Sequence, residues 1–453
     1  MGRDEGGPCY SWASTRSAPS PAPGDMDFGP AQIEISLRSR SRALLLLLAV
    51  CSASLFLAAE TLLVGITSSF DKPPVGRWLL AFNSDDPELH YWLGRSYEGT
   101  KPAEGVQCLR RATELSPYSR HYWSRLAKAC ESLGDSQCAD QAWERLLLIC
   151  PMVPLYHWHV AQRGLRTKRL DEAMAEFRRL LELDPSYAPS TWASLRAVES
   201  PDAIFQKTLA DRSDSMLKVG YIEFLSAGDE DAAAYQIWKR VVENPSRFPF
   251  SSAQPYLNRL IDRGRIEEAV GVWGDLERLG VVRRPQGDES GNLVFNGDFE
   301  QFPLNAGFDW RWSDQLTYLA IDFSAPAAYR GARCLRVDFT VSRNQEYEPV
   351  YQIVPVLSNH TYRLEAYVRS EDITSDTGPA LRVSDTQQPS FRDVFSDTTV
   401  GTTPWHPIRV YFSAGPETHA VRLSVWRPLG RVFPTEITGS FWMDAVSLEC
   451  LDP

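Results

Sequence analysis

The hydrophobic pattern of the chain changes character twice along its length. Residues 43–66 form one apolar run, ALLLLLAVCSASLFLAAETLLVGI, broken by a single charge at Glu60. From 86 to about 280 the pattern repeats with a fixed internal period and predicts paired helices. After a polar stretch at 281–291, VVRRPQGDESG, short runs alternate apolar and polar residues between turn residues. Many Thr, Val, Tyr and Phe fill those runs, which predicts an all-β sandwich. The expected organisation is therefore multidomain: a tail at 1–37, an anchor at 38–67, helical repeats at 68–285 and a β-sandwich at 286–453.

The apolar run is long enough to cross a bilayer core of about 30 Å, which takes roughly 20 residues. Arg38, Arg40 and Arg42 precede it, whereas Asp71, Lys72 and Arg77 follow with less positive bias. The positive-inside rule then predicts a single-pass helix in the inner (cytoplasmic) membrane, with a cytoplasmic N-terminus. Everything after about residue 67 is expected to be periplasmic or extracellular. A cleaved signal peptide ending near Ala58 and Ala59 is the main alternative, and Glu60 weighs against it. A lipoprotein signal at Cys51 and a buried core helix fit less well. Residues 1–37 are rich in Pro, Ser, Gly and Ala and read as a disordered cytoplasmic tail, with Met26 as an alternative start.

Pro117, Pro151 and Pro185 follow one another at 34-residue intervals. One unit in that register carries Trp123, Leu126, Ala127, Ala139 and Trp143. The next carries His157, Val160, Ala161, Gly164, Ala173, Phe177 and Leu180, and the preceding one Leu93, Gly94, Tyr97, Leu109 and Ala112. Small residues suit the close approach of two helices, large ones fill the gap to the next pair, and proline ends the second helix. These residues resemble the tetratricopeptide repeats over 86–280, most clearly over 86–187, which implies an all-α solenoid binding protein partners in a concave groove. Pro201 interrupts a fourth, degenerate unit, and segments around Ala234, Trp238, Val241 and Pro245 and around Gly264, Ala269, Trp273 and Leu276 read as later second helices. About five hairpins are expected.

In the last region the expected strands are 334–341, 350–356, 361–370, 380–384, 408–413, 419–426 and 440–448. The opening NLVFNGDFE at 292–300, the segment GARCLRV at 331–337, TYRLEAYV at 361–368 and the closing FWMDAVSL at 441–448 resemble carbohydrate-binding modules of families four, nine and twenty-two. That resemblance, over 292–450, implies a galactose-binding-like jelly roll. It also implies a structural calcium tying the opening strand to the closing one, with carboxylates from Glu300 and Asp444 and carbonyls from Asp298 and Gly331. Hard oxygen donors suit that cation. A glycosidase pair formed by Glu300 and Asp444, which needs carboxylates about 5 to 9 Å apart across a cleft, is disfavoured because both lie in the shared structural motif.

Sugar recognition needs exposed aromatic platforms and polar groups. Trp310 and Trp312 share one face if extended, with Arg311 and Asp314 beside them, and Tyr351 and Trp426 are further candidates. Trp405 fits a structural position better. Pro355 and Pro389 suggest edge strands or altered loops.

Composition narrows the functions. A formal net charge of −11 argues against nucleic acid as a partner. Hydrophobic residues at 43% and charged ones at 23% describe an ordinary globular protein. His157 and His159 are two helix positions apart and point about 200° away from each other, so they cannot chelate one ion together. No nucleophile elbow, phosphate-binding Gly loop or zincin helix is present. The eight cysteines lack CxxC spacing; Cys130–Cys138 and Cys334–Cys450 are candidate disulfides. The reading that results is a membrane-anchored, non-catalytic scaffold of the bacterial cell envelope that binds proteins through its repeats and polysaccharide through its β domain. Its expected setting is exopolysaccharide assembly or export. A pure protein scaffold whose β domain binds no glycan is the alternative, and a hydrolase with a decayed motif comes third.

Overall fold

The structure, a computed structural model, describes residues 40–67, 84–211, 213–244, 247–285, 291–313, 319–340, 344–386, 393–433 and 435–452. The expected tail at 1–37, together with Arg38, Asp71, Lys72, Arg77, Pro245, Asp314 and Pro389, lies outside the described residues. The chain divides into two compact units, Met1–Ala139 and Asp140–Pro453.

In the first unit the apolar run forms one continuous 28-residue helix, α1 (Arg40–Thr67). Its side chains at 44–59 are all exposed, Leu47 at 67% and Leu55 at 72% among them. Among the described residues no helix is long and apolar enough to cross a membrane; the side chains of α1 are described continuously only over 44–59. Next come α2 (Pro87–Tyr97), α3 (Pro102–Leu115) and α4 (Arg120–Leu133), and α5 (Ser136–Ile149) begins at the unit's end. Asp86 caps α2 by accepting the amides of Glu88 and Leu89, with Pro87 in the first turn where its missing N–H costs nothing. A Cβ on Gly94 would come within 2.6 Å of Leu109 Cγ, so glycine lets α2 and α3 touch. Cys130 and Cys138 form a disulfide across the turn at Gly134, as their proximity in the sequence suggested.

The second unit continues with α6 (Pro154–Arg166), α7 (Leu170–Leu183), α8 (Ala188–Arg196) and the short α9 (Pro201–Ile204), which runs on into a wide turn at Phe205–Leu209. Then follow α10 (Ser215–Ala227), α11 (Asp231–Glu243), α12 (Phe250–Asp262) and α13 (Ile266–Arg278). Consecutive helices pair within each unit, α2 with α3 in the first and α6 with α7, α10 with α11 and α12 with α13 in the second, while α8 with the four-residue α9 is the degenerate pair. Ala127, Ala139, Ala161 and Ala173 are fully buried, and a Cβ on Gly164 would sit 2.9 Å from that of Ala173. Trp143 and Phe177 are buried as the gap-filling residues. Pro117, Pro151 and Pro185 each stand within two residues of a helix end. The helical segment is thus a run of helical pairs of the kind that the tetratricopeptide resemblance implied.

The same unit ends in two five-stranded antiparallel sheets. Their strands are β1 (Arg311–Trp312), β2 (Leu319–Ala325), β3 (Cys334–Phe339), β4 (Tyr347–Pro355), β5 (Thr361–Ile373), β6 (Ala380–Asp385), β7 (Val394–Phe395), β8 (Gly401–Ser413), β9 (Ala420–Arg427) and β10 (Gly439–Cys450). One sheet has the order β1-β4-β9-β6-β7 and the other β2-β3-β10-β5-β8. Inward residues such as Val350, Leu423, Leu364 and Phe441 form the core between them. This is the sandwich that the carbohydrate-binding-module resemblance implied. Pro355 is the last residue of β4, paired with Ala420 of β9 on one side and beyond the two-residue β1 on the other, so it stands at a local edge although β4 itself lies between β1 and β9.

Helices and sandwich share a core. Trp273 of α13 meets Phe250, Phe295 and Phe308 edge-on, with ring centroids 6.3, 5.1 and 5.8 Å apart. Ile353 and Ala420 from the first sheet join this cluster. Asn258 Oδ1 on α12 accepts the Gly307 amide at 2.9 Å and Arg311 Nη2 at 3.0 Å. Val282, in the stretch expected as a polar linker, is buried in this cluster.

Candidate functional site

The outer face of the β1-β4-β9-β6-β7 sheet gathers the richest set of aromatic and charged groups. Alternation sends Val350, Leu423, Val425, Leu381 and Val383 to the core, so Tyr351, Arg422, Ser424, Trp426 and Arg382 face outward. The register sets them in one row across the five strands: Arg311 pairs with Tyr351, Tyr351 with Ser424, Ser424 with Arg382, and Arg382 with Phe395. Trp426 packs on Phe395, with ring centroids 4.4 Å apart, and donates its indole N–H to Glu346 at 2.5 Å. The Arg422 guanidinium lies 4.2 Å above the Tyr351 ring. Glu348 accepts Arg422 at 3.3 Å, and Asp393 accepts both Nε and Nη2 of Arg382, at 2.9 and 2.6 Å. Along the row Arg311, Tyr351 and Arg382 are half-buried, Ser424 is 1% exposed, and Phe395 at the far end is 42% exposed.

The sequence candidates separate on this geometry. Tyr351 and Trp426 stand on the outer face together. Arg311 is also on it, but its Nη2 is spent on Asn258 and the Gly307 carbonyl. Trp310 and Trp312 do share a face, and it is the inner one. Trp310 is 1% exposed, stacks on Phe299 at 5.2 Å and donates to the Asn296 carbonyl, so it cannot serve as a sugar platform. Trp312 packs half-buried on Phe302 and Phe323. The alternation that paired them carried no sign, and the short β1 turned both toward the core. Arg382 and Phe395 were not singled out in the sequence, because their place in the row comes from pairing across a sheet.

The carboxylates expected to hold calcium lie where the opening segment docks on β10. This segment is not a strand. Asn292 Oδ1 accepts the amides of Val294 and Leu448, and the Gly297 carbonyl accepts the Val446 amide, at a break in the β10 register between Asp444 and Ser447. Asp444 is fully buried and accepts the amides of Arg330 at 2.8 Å and Ala445 at 2.7 Å. Burial pushes its carboxyl up to about 6, against those amides, and the charge of nearby Asp298 adds to the rise. Glu300 Oε1 accepts the amides of Ala332 and Arg333 at 2.6 and 3.1 Å. Gly331, at φ +75°, makes room for it: a Cβ there would lie 2.1 Å from Oε1. Hard oxygens around a glycine cradle fit calcium in kind. Among the described residues no three His, Cys, Asp or Glu side chains gather as a metal site, so backbone carbonyls would have to complete the set.

The remaining candidates are structural. His157 bonds Glu176 at 2.6 Å and the Pro151 carbonyl at 2.9 Å; burial lowers its pKa, but these two partners raise it overall. His159 instead stacks on Trp143 at 5.4 Å, so the two imidazoles point apart as expected. Cys334 and Cys450 do not pair. Although β3 and β10 are neighbours, Leu335 sits opposite Met443, which leaves Cys450 about 20 Å further along β10.

No family model matches the chain, and no curated protein matches it. Among solved structures it is similar to the crystal structure of MamA, a tetratricopeptide-type protein, at 13% identity over 38% of this chain and 85% of MamA, with a TM-score of 0.26. A carbohydrate-binding module, described under "CBM4 structure and function", is 12% identical over 35% of this chain and 99% of its own length, with a TM-score of 0.26. TmCBM61 in complex with beta-1,4-galactotriose is 19% identical over 35% and 98%, with a TM-score of 0.24. Each likeness is partial, and none bears on what this chain binds.

Proposed function

We propose that the chain is a membrane-anchored, non-catalytic scaffold of the bacterial cell envelope, binding proteins through its helical pairs and polysaccharide on the outer face of the β1-β4-β9-β6-β7 sheet. The carrying observation is the cross-strand row from Tyr351 to Phe395, flanked by Trp426 and Arg422. Flat rings offer apolar faces to sugar rings, while Arg382, Arg422, Glu348 and Asp393 offer donors and acceptors for hydroxyls. Their mutual ion pairs keep these groups in place before any ligand arrives. The anchor reading rests on the apolar run at 43–66, which is long enough in sequence for a bilayer core of about 30 Å. An inner-membrane location with the later domains on the periplasmic or extracellular side follows from the arginines that precede it. A place in exopolysaccharide assembly or export accords with joining a glycan face to protein-binding repeats.

A glycan array probed with the full chain in detergent tests the central part. Retention of a polysaccharide by the parent chain and its loss in Arg382→Ala would support the glycan face. Retention of none would leave the second reading, a pure protein scaffold, which is favoured by the helices covering the β1 corner of the same face.

Calcium held by Asp444 and Glu300, with carbonyls from Asp298 and Gly331, belongs to the same proposal, and would bind the opening segment to β10. The sign of the pH dependence follows from Asp444. Its folded pKa of about 6 lies above the ordinary 3.8, so the folded state holds the extra proton between these values and loses stability as pH rises through them. In calcium-free buffer, the thermal midpoint of the parent should therefore fall relative to Asp444→Asn between pH 4 and about 6, then run parallel above. Added calcium should raise the parent's midpoint at pH 7 and not the variant's; equal midpoints with calcium and with chelator would remove the metal from the proposal.

A further inference from the structure

Where α12 begins and α13 ends, Arg247, Phe248, Phe250, Leu279, Val281 and Arg283 line a recess of about 540 Å³. Its walls are fixed by the core beneath: Phe248 packs edge-on to Trp238, and Phe250 edge-on to Trp273, each with centroids 6.3 Å apart. The volume falls within the range of pre-formed ligand sites, about 300–1,000 Å³.

Charge is what distinguishes this recess. In α8 to α13 the arginines are matched with carboxylates: Arg196 with Glu230, Arg240 with Asp202, Arg259 with Glu223, Arg263 with Asp231 and Arg265 with Glu268. Arg247 and Arg283 are exposed at the recess and make no ion pair among the described residues. On a chain of net charge −11 they leave a small basic rim around an apolar floor. A ligand complementary to it carries an anion a few ångströms from an apolar group.

We propose that this recess docks an acidic peptide segment of a protein partner, one that sets an Asp or Glu beside a large apolar side chain. The apolar side chain enters between Phe248, Phe250 and Val281, and the carboxylate accepts hydrogen bonds from the two guanidinium groups. The proposal rests on the reading that the helical segment binds proteins, and it names where and by what chemistry. The acidic remainder of the surface repels other acidic segments, so the rim would select by position as well as by charge.

The test uses the full chain in detergent micelles and an array of ten-residue peptides that pair Asp or Glu with Leu, Phe or Trp. Each peptide has a counterpart with Asn or Gln in place of the acid. The expected result is retention of acidic peptides at least about tenfold above their amide counterparts, since charge-assisted hydrogen bonds are worth that much. The double variant Arg247→Glu/Arg283→Glu should lose this retention with an unchanged thermal midpoint, whereas Lys128→Glu on α4 should keep it. Equal retention of acids and amides, retention that survives the charge reversal, or retention of no peptide would each overturn the proposal. If a protein partner is captured equally by parent and double variant, this recess is excluded while the protein-binding reading stands.

Discussion

Replacing Trp273 by Ala should destabilise the second unit by about 3–5 kcal/mol, the cost of removing a buried tryptophan from a core that cannot close over the gap. The indole is 6% exposed and is ringed by Phe250 from α12 and by Phe295 and Phe308 from the sandwich. Phe250 is held by α12, Phe295 by backbone hydrogen bonds to Gln352 of β4, and Phe308 by the Gly307 amide bonded to Asn258, so the hole would persist. Gly307 provides the control. At φ +61° and with a would-be Cβ 2.4 Å from the Trp273 ring, Gly307→Ala should be destabilising alone through both clash and backbone strain. In Trp273→Ala the clash with the ring disappears and only the contact with the tip of Leu257, at 2.9 Å, and the backbone strain remain, so the double variant should cost clearly less than the sum of the singles. Urea unfolding of the four chains measures this. Strict additivity would show that the ring and the glycine do not meet.

That joint was not legible in the sequence. The polar stretch at 281–291 reads as a tether, whereas Val282 is buried and Phe295 and Phe308 leave the sandwich to pack on α13. The repeats were legible because the 34-residue interval recurs and each position has a single steric task. Small residues such as Ala161 and Gly164 lie where helices touch, and proline lies where they stop. The β strands were legible as alternation, and what alternation could not supply was direction. Trp310 and Trp312 obey it and face inward, whereas Arg311 between them faces out. Nor could it supply neighbours: Phe395 lies 44 residues from Tyr351 in the sequence and joins its row through two intervening strands.

Two tryptophans of the sandwich should separate structure from recognition. Trp310→Ala should cost about 3–5 kcal/mol, because its ring is 1% exposed against Phe299 and its N–H satisfies the Asn296 carbonyl in the segment that docks on β10. Glycan retention would then fall in proportion to unfolding, and should return wherever the variant is kept folded, for example at lower temperature. Trp426→Ala should behave in the opposite way. Its ring is half-exposed beside Phe395, and its loss leaves β9 paired with β4 and β6 by backbone hydrogen bonds and by the buried Val421, Leu423 and Val425. Unfolding should shift by no more than about 1 kcal/mol, as for surface substitutions. Binding of whichever polysaccharide the parent retains should weaken by at least about 2 kcal/mol, near thirtyfold in Kd, as for an aromatic at the centre of an interface. A Trp426→Ala chain that is stable and binds as the parent does would take the glycan off this face; a Trp310→Ala chain that is stable and yet binds nothing would place recognition at the opening segment instead.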